Sequence, residues 1–326
     1  MSLKENILKQ LEENRGAYIS GEELAQRFRV TRSAVWKAIR SLEEEGYQIQ
    51  GIRKKGYALS EDTNILSAAA IEKYLDGDPF FKVRVFKSID STNEAAKREA
   101  LNGAEEGSVW IAEEQTAGKG RKGRSFYSPP KTGIYMSLLL RPSFPPMTAS
   151  LLTSVAATAV AVSLENILGV KTDIKWVNDV FLDGKKISGT LTESAMSVEN
   201  NGLDYVIIGS GVNIEPPKDG FPSELESIAG TVLETGKGYG DIRNRIAAEI
   251  LKYLKEYYHH LESRSFLPEY KSRLFFLGDE IDVISAGGRR TATALDITED
   301  CHLLVRFEDG TVSELDSGEI SIKIKE

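Results

Sequence analysis

Apolar residues in the first third of the chain recur at helical spacing and then switch to strand spacing. Val35, Ile39 and Leu42 form the buried stripe of a helix. Thr31 stands where it caps that helix, which the spacing runs to about Leu42. Before it, Ser20 and Glu23 match the reciprocal pattern that satisfies free amides at a helix start, so a shorter helix precedes a tight turn at Val30-Thr31. The stripe leaves Arg32, Ser33, Trp36, Lys37 and Arg40 on the outer face, although Trp36 is as readily a packing residue as an exposed one. After Gly46 the period shortens: Tyr47-Gln-Ile-Gln-Gly-Ile, a basic tip Arg53-Lys-Lys-Gly, then Tyr57-Ala-Leu. That is a hairpin, and helix-turn-helix plus hairpin makes a winged helix.

A polar linker, Ser60-Glu-Asp-Thr-Asn, follows. Beyond it both periods mix. Helices are expected near 67–75 and 94–102, strands near 82–87 and 108–114, and a long apolar helix from Thr148 to Leu168 ended by Gly169. Strands follow near 172–175, 180–183, 186–194 and 204–212, with Asp183-Gly184 as a hairpin turn. After helices near 240–260 and 266–276, four short alternating strands begin at Glu280, Arg290, Leu303 and Ile320. Gly287-Gly288 and Asp309-Gly310 are hairpin signals between them, and a small β-barrel is expected. The fold class is α+β multidomain, with a winged helix over 1–62, a mixed-sheet α+β domain over 63–276 and a barrel over 277–326.

Charge divides the chain in the same place. Residues 1–60 hold 11 Lys and Arg against 8 Asp and Glu, whereas the whole chain carries −8. A basic head on an acidic body suggests separate tasks. The winged helix suits the major groove of DNA, with Lys54 and Lys55 placed to touch phosphates beside it; a dimerisation or peptide-binding module with solvated cations is the alternative. The single Cys301 rules out an internal disulfide and a cysteine-based zinc site, so no structural metal is expected. His259, His260 and His302 stand near no nucleophile pattern. No uninterrupted apolar run approaches the ~20 residues of a membrane span, and the polar start lacks a signal-peptide core. A cytoplasmic protein without a membrane partner is expected.

The most unusual stretch is Glu114-Gln-Thr-Ala-Gly-Lys-Gly-Arg-Lys-Gly-Arg-Ser-Phe-Tyr-Ser-Pro-Pro. It satisfies G-x-G-x-x-G formally, but Pro129 and Pro130 follow where a dinucleotide fold needs a helix. No phosphate-binding loop of the G-x-x-x-x-G-K-[ST] type occurs. What remains is a flexible loop with Lys119, Arg121, Lys122 and Arg124 spaced by glycines, suited to a polyphosphate, a second nucleic-acid patch, or simple solvation.

Five motifs in order, Asp90-Ser-Thr-Asn-Glu, Gln115-Thr-Ala-Gly-Lys-Gly-Arg-Lys-Gly-Arg, Lys175-Trp-Val-Asn-Asp, Lys186-Ile-Ser-Gly and Gly209-Ser-Gly-Val-Asn, resemble those of biotin protein ligases. With the winged helix in front, the whole chain resembles the bifunctional biotin ligase/biotin operon repressors. The resemblance implies a biotin carboxylate attacking the α-phosphorus of ATP, followed by transfer from biotinyl-5′-AMP to a lysine of an acceptor protein. No enzyme nucleophile is needed, which agrees with the histidine and cysteine inventory.

The resemblance also assigns residues. Lys186 pairs with the biotin carboxylate and α-phosphate, and Arg121 closes with the loop over activated biotin. Ser91, Thr92, Asn93, Gln115, Lys119 and Gly120 contact biotin, with Gly189, Gly209 and Gly211 allowing close backbone approach. Arg124, Phe126, Asn178 and Asn213 join Arg121 and Lys186 at the nucleotide, and Asp179 is a metal-proximal (Mg2+) or acceptor-orienting carboxylate. The implied partners are a biotin carboxyl carrier domain, operator DNA of biotin-synthesis genes, and a second copy of the chain when biotinyl-AMP is bound as corepressor. The barrel is implied to be SH3-like.

Simpler roles compete at several positions. Ser91 and Glu94 also match a capping box, Asn178-Asp179 an ordinary turn, Lys185 and Lys186 solvated cations after a hairpin, and Trp176 a core residue. Three residues depart from the family pattern: Val177 for proline, Lys119 for arginine and Phe126 for tryptophan. Lys119 keeps the charge but loses a bidentate fork, and Phe126 keeps an aromatic face. A lipoate or other acyl ligase, and a regulator that binds without turnover, are the competing functions.

Overall fold

A computed structural model describes residues 2–197, 202–234, 239–285, 288–316 and 318–322. It divides into two compact units, Met1–Val85 with Thr235–Glu249, and Phe86–Glu234 with Ile250–Glu326.

The first unit holds α1 (Leu3–Glu13), α2 (Gly21–Phe28), α3 (Arg32–Glu44), β1 (Ile49–Ile52), β2 (Gly56–Leu59), α4 (Ala68–Tyr74) and most of β3 (Lys82–Phe86). Helix α1 escapes the sequence reading, yet it carries a complete capping box: Ser2 accepts from the Glu5 amide, and Glu5 accepts from the Ser2 amide at 2.7 Å. At α2 only the Ser20 half of the expected exchange is described, its hydroxyl accepting from the Glu23 amide at 3.0 Å. Thr31 caps α3 as expected. Ile7, Leu11, Leu24, Val35, Ile39, Leu42 and Leu59 form one buried core. Strands β1 and β2 pair antiparallel with Ile52 opposite Gly56. Gly56 is obligatory, because a Cβ there would lie 2.0 Å from the Ile19 carbonyl oxygen at a φ of +113°.

The segment read as a linker is tied down within this unit. Arg15 donates to the Thr63 carbonyl at 2.8 Å and forms ion pairs with Glu12 at 2.7 Å and Asp241 at 3.2 Å. Burial raises the pKa of both carboxyls, partly offset by Arg15.

The second unit begins with α5 (Thr92–Leu101), β4 (Ser108–Ala112), β5 (Gly133–Leu140), α6 (Leu151–Leu168), β6 (Asp173–Lys175), β7 (Asp179–Leu182), β8 (Lys185–Met196) and β9 (Leu203–Asn213). These strands lie in the order β4-β5-β9-β8-β7-β6 and pair antiparallel. Parallel geometry enters through the isolated bridges Ile89–Gln115, Ile174–Leu274 and Lys186–Ala229. Strand β5 was not expected from the sequence; all eight residues are buried, so no alternation marks it. Together with the turn before it, Pro146–Leu168 is long and apolar enough to cross a membrane, although Thr153, Ser154, Thr158 and Ser163 interrupt its apolar run. Its residues are core instead: Leu152, Val155, Ala159, Val160 and Leu164 are wholly buried.

There follow α7 (Ser223–Glu226), α8 (Ile242–His259), whose residues divide between the units at Glu249, and α9 (Leu267–Ser272), shorter than expected. The C-terminal sheet comprises β10 (Glu280–Ser285), β11 (Gly288–Ile297), β12 (Leu303–Phe307), β13 (Val312–Leu315) and β14 (Glu319–Ile322), in the order β13-β12-β11-β10-β14. It has one strand more than expected, β13, reached from β12 through the Asp309-Gly310 turn. Of the other expected turn, Gly287 lies outside the described residues.

Candidate active site

The sheet of the second unit carries its polar and glycine residues at one end. Gly189 on β8 is paired with Gly211 on β9, and Ser137 on β5 with Gly209. Leaving these positions without side chains opens the strands to neighbours. A Cβ on Gly209 would lie 2.1 Å from Asn93 Oδ1, and one on Gly211 2.5 Å from the Phe126 ring. The glycines therefore seat two other site residues.

Asn93 comes from the first turn of α5. Ser91, Thr92 and Asn93 are all buried there. Ser91 makes no side-chain cap bond, so the capping-box alternative is not realised. Instead the Thr92 amide donates to Gln115 Oε1 at 2.8 Å, and Gln115 Nε2 donates to Ser128 Oγ at 3.0 Å. Ser137, wholly buried on β5, lies 2.8 Å from Thr92 Oγ1 and 2.6 Å from Asn93 Oδ1. Asp90 braces the turn through two bonds from Arg98, which hold its carboxyl below the usual carboxylate range.

The glycine-rich segment is a closed hairpin-like loop. Phe126 N donates to Gly118 O at 2.9 Å, Gly120 N donates to Arg124 O at 2.7 Å, and Lys119 bridges Ser125. The tip is one short turn, Arg121–Gly123, with Lys122 and Gly123 at positive φ. From it Arg121 Nη1 donates to Asn178 Oδ1 at 3.1 Å, and Asn178 Nδ2 donates to Thr190 O at 2.8 Å. The loop tip is thus bonded to the Lys175-Trp-Val-Asn-Asp turn, whose Trp176–Val177 peptide is cis. Next to it Lys186 Nζ lies 2.7 Å from Asp179 Oδ1.

These parts enclose a cavity of about 160 Å³. Its lining includes Ser91, Thr92, Asn93, Gln115, Lys119, Gly120, Arg121, Arg124, Phe126, Asn178, Asp179, Lys186, Gly189, Gly209 and Gly211. One expected site residue, Asn213, is not among the lining residues; its amide donates to the Gly230 carbonyl at 3.1 Å. Residues not singled out from the sequence also line it, among them Met136, Thr190, Leu191, Gly318 and Ile320, and so do Lys175 and Ser210, which lie in the family motifs without an assigned role. Trp176 is both core and lining: it is 4% exposed and donates from Nε1 to the Cys301 carbonyl at 2.9 Å. The Cys301 thiol is buried and its pKa is pushed up to about 11 by that burial, which suits packing and not reactivity. Ser137 had a faint signal, being the one polar residue in an apolar run.

In the first unit, Arg32, Ser33, Trp36, Lys37 and Arg40 are all exposed on one face of α3. Trp36 is 53% exposed, so it does not pack under the hairpin, and the Arg40 guanidinium lies 5.9 Å from its ring centroid. Lys54 and Lys55 are exposed at the hairpin tip, Lys55 being 5.9 Å from the Tyr18 ring centroid.

Comparison with known proteins agrees with this layout. Residues 85–213 match the biotin/lipoate A/B protein ligase family, and residues 4–58 match a helix-turn-helix domain. The chain is 33% identical to a bifunctional ligase/repressor, BirA, of Bacillus spizizenii over 98% of this chain and 99% of that one. Against BirA of Escherichia coli the identity is 29%, over 95% of each. Among solved structures, the biotin protein ligase from Aquifex aeolicus in complex with biotin and ATP superposes with a TM-score of 0.61 at 28% identity, covering 75% of this chain and 99% of that one. The match thus runs along nearly the full length of both chains and takes in the helix-turn-helix and ligase segments, and the chain belongs to the bifunctional biotin ligase/repressor family.

Proposed function

We propose that the cavity activates biotin with ATP and passes it to a lysine of a carrier protein. The single observation that carries this reading is the convergence of Lys186, Arg121 and the Ser91–Asn93 turn on one cavity. A carboxylate oxygen of biotin attacks the α-phosphorus, the bond to the β-phosphate oxygen breaks, and pyrophosphate leaves. Two anions must meet for this, so the step needs fixed positive charge and fixed geometry. Lys186 supplies the ammonium between them, and Asp179 positions it. Arg121, steadied by Asn178, and Arg124 face the phosphates. Ser91, Thr92, Asn93 and Gln115 present hydroxyl and amide groups suited to a ureido ring, while Phe126 supplies an aromatic face. In the second step a neutral lysine amine attacks the carbonyl carbon and AMP departs, the amine proton passing to solvent.

ATP enters as its Mg2+ complex. Asp179 fits such an ion, since it lines the cavity beside the Lys186 ammonium and a carboxylate is the donor type this hard cation takes. Biotinyl-5′-AMP then serves as corepressor: a loaded chain pairs with a second copy, and two α3 helices read a palindromic operator of biotin-synthesis genes. Arg32, Ser33, Trp36, Lys37 and Arg40 face the groove, and Lys54 and Lys55 the phosphates. A cytoplasmic location belongs to this reading, as does the division into functional modules 1–62, 63–276 and 277–326.

The test is transfer of labelled biotin to a biotin carboxyl carrier domain. Wild-type chain transfers label and Lys186→Ala does not; equal transfer by both variants, or label accepted only from lipoate, overturns the reading. Sedimentation with and without biotin and ATP tests the dimer, which is wrong if association does not change.

A further inference from the structure

A line of hydrogen bonds runs from a hydroxyl at the cavity to a carboxylate behind it. Thr92 and Asn93 line the cavity, whereas Ser137 on β5 and Glu193 on β8 do not. Thr92 Oγ1 lies 2.8 Å from Ser137 Oγ, which lies 2.6 Å from Asn93 Oδ1. Asn93 Nδ2 in turn donates to Glu193 Oε2 at 2.8 Å and to the Leu191 carbonyl at 3.4 Å. The other carboxylate oxygen, Glu193 Oε1, accepts from Lys97 Nζ at 2.6 Å. Ser137 is wholly buried, so its hydroxyl is satisfied by these neighbours or by nothing.

The line has one direction. A carboxylate beside an ammonium only accepts, so the Asn93 group facing Glu193 is the NH2 and the group facing Ser137 is the oxygen. Ser137 has a single proton and an amide oxygen has none, so the 2.6 Å contact uses the Ser137 proton. The 2.8 Å contact between the two hydroxyls is then completed by the proton of Thr92. Gln115 Oε1, 3.1 Å from Thr92 Oγ1, is the other acceptor in reach, and it already takes the Thr92 amide proton at 2.8 Å. By either route the Thr92 proton stays inside the protein, and its oxygen offers the cavity a lone pair. Both ends of the Asn93 amide are engaged as well. Bonds aligned in one direction in a buried site polarise and strengthen one another.

Building on the biotin-activation reading, we propose that Ser137 and Glu193 are positioning residues that act through Asn93 to hold the Thr92 hydroxyl as an acceptor, so that this corner of the cavity selects a ligand with a ring N–H. A ureido ring carries two such donors and a dithiolane none. A cyclic carbamate keeps one and sets a ring oxygen in place of the other. Acceptor facing acceptor leaves two desolvated oxygens unpaired, and a site of this kind discriminates more sharply than an apolar pocket.

The test is titration calorimetry on the full chain with biotin and with its two cyclic carbamate analogues, in each of which a different ureido N–H is replaced by oxygen. Wild-type chain binds one analogue on the order of 100-fold more weakly than biotin. Ser137→Ala brings that ratio below about tenfold, whereas the same change in a Thr92→Val background alters the ratio less than about twofold. Glu193→Gln, whose amide can donate to Asn93 and reverse the line, lowers the ratio in the same way and serves if Ser137→Ala fails to fold. Equal weakening of biotin and analogue, or a ratio that neither variant changes, is what a merely structural role gives and overturns the proposal. If wild-type chain does not bind biotin, the activation reading falls and this inference with it; biotin bound without discrimination against either analogue removes the inference alone.

Discussion

The two functional regions handle positive charge in opposite ways. On α3 and the hairpin tip, the cations stand exposed, and a carboxylate contact among them, Arg32–Glu22 at 3.6 Å, is itself well exposed. In the cavity, Lys186 is held by Asp179, Arg121 by Asn178 and Lys119 by Glu94. A phosphate backbone presents many equivalent anions, so binding needs a field and a shape. Activation needs each cation at one place relative to one phosphorus, so each is tied to a polar neighbour. The contrast teaches that, on the proposed function, partner residues more than cation number distinguish the cavity from the exposed face of α3.

Four experiments sharpen or break this contrast, beginning with the largest effect. Lys186→Ala reduces pyrophosphate release on the order of 10²–10³-fold, as loss of a pre-placed charge-stabilising group does elsewhere; retention of more than a tenth of the rate would show that Lys186 is merely solvated. Gly209→Ala drives a Cβ against Asn93 Oδ1 and raises Kd for biotin roughly 10–100-fold, readable by titration calorimetry. Lys54→Ala with Lys55→Ala lowers the salt dependence of operator binding by about one per lysine while leaving biotin transfer unchanged. A linked loss of ligase activity would contradict the separation of tasks. Thr31→Ala removes the cap of α3 and costs about 1 kcal/mol of unfolding free energy, followed through the fluorescence of Trp36.

Acid should distinguish the two units further. Glu94 has a lowered folded pKa, so its contribution is present above the ordinary glutamate value of 4.5 and is lost as pH falls through the lower folded value. Glu12 and Asp241 have raised folded values, so the corresponding stability is complete below 4.5 and 3.8 and is lost as pH rises through the raised values. Mild acidification therefore relieves the burial of Glu12 and Asp241, while Glu5, whose carboxyl pKa is lowered by its bond to Ser2, acts in the opposite direction; an unfolding midpoint that falls on mild acidification in a Glu5→Gln variant would contradict the assignment.

How far the sequence foretold this depends on whether a signal was local. The caps at Ser20 and Thr31, the Asp183-Gly184 turn and the helical stripe of α3 are local, and the structure has them. Strand β5 was invisible because burial on both faces erases alternation, and it hid Ser137, which bonds Thr92 and Asn93. Helix α1 was masked by its polar first turn, although Ser2 and Glu5 carried the cap signature. In the cavity, family motifs foretold most lining residues, but a motif does not give orientation: Asn213 belongs to one and turns to Gly230 instead. Glu94 shows the reverse, since its spacing from Ser91 spelled a capping box while its carboxylate went to Lys97 and Lys119.

The most direct measurement is pyrophosphate release on mixing the full chain with ATP and biotin in the absence of any acceptor. The account predicts a burst of about one pyrophosphate per chain, with the adenylate retained in the cavity, and no burst with lipoate. No burst with biotin, or a burst with lipoate alone, would contradict it.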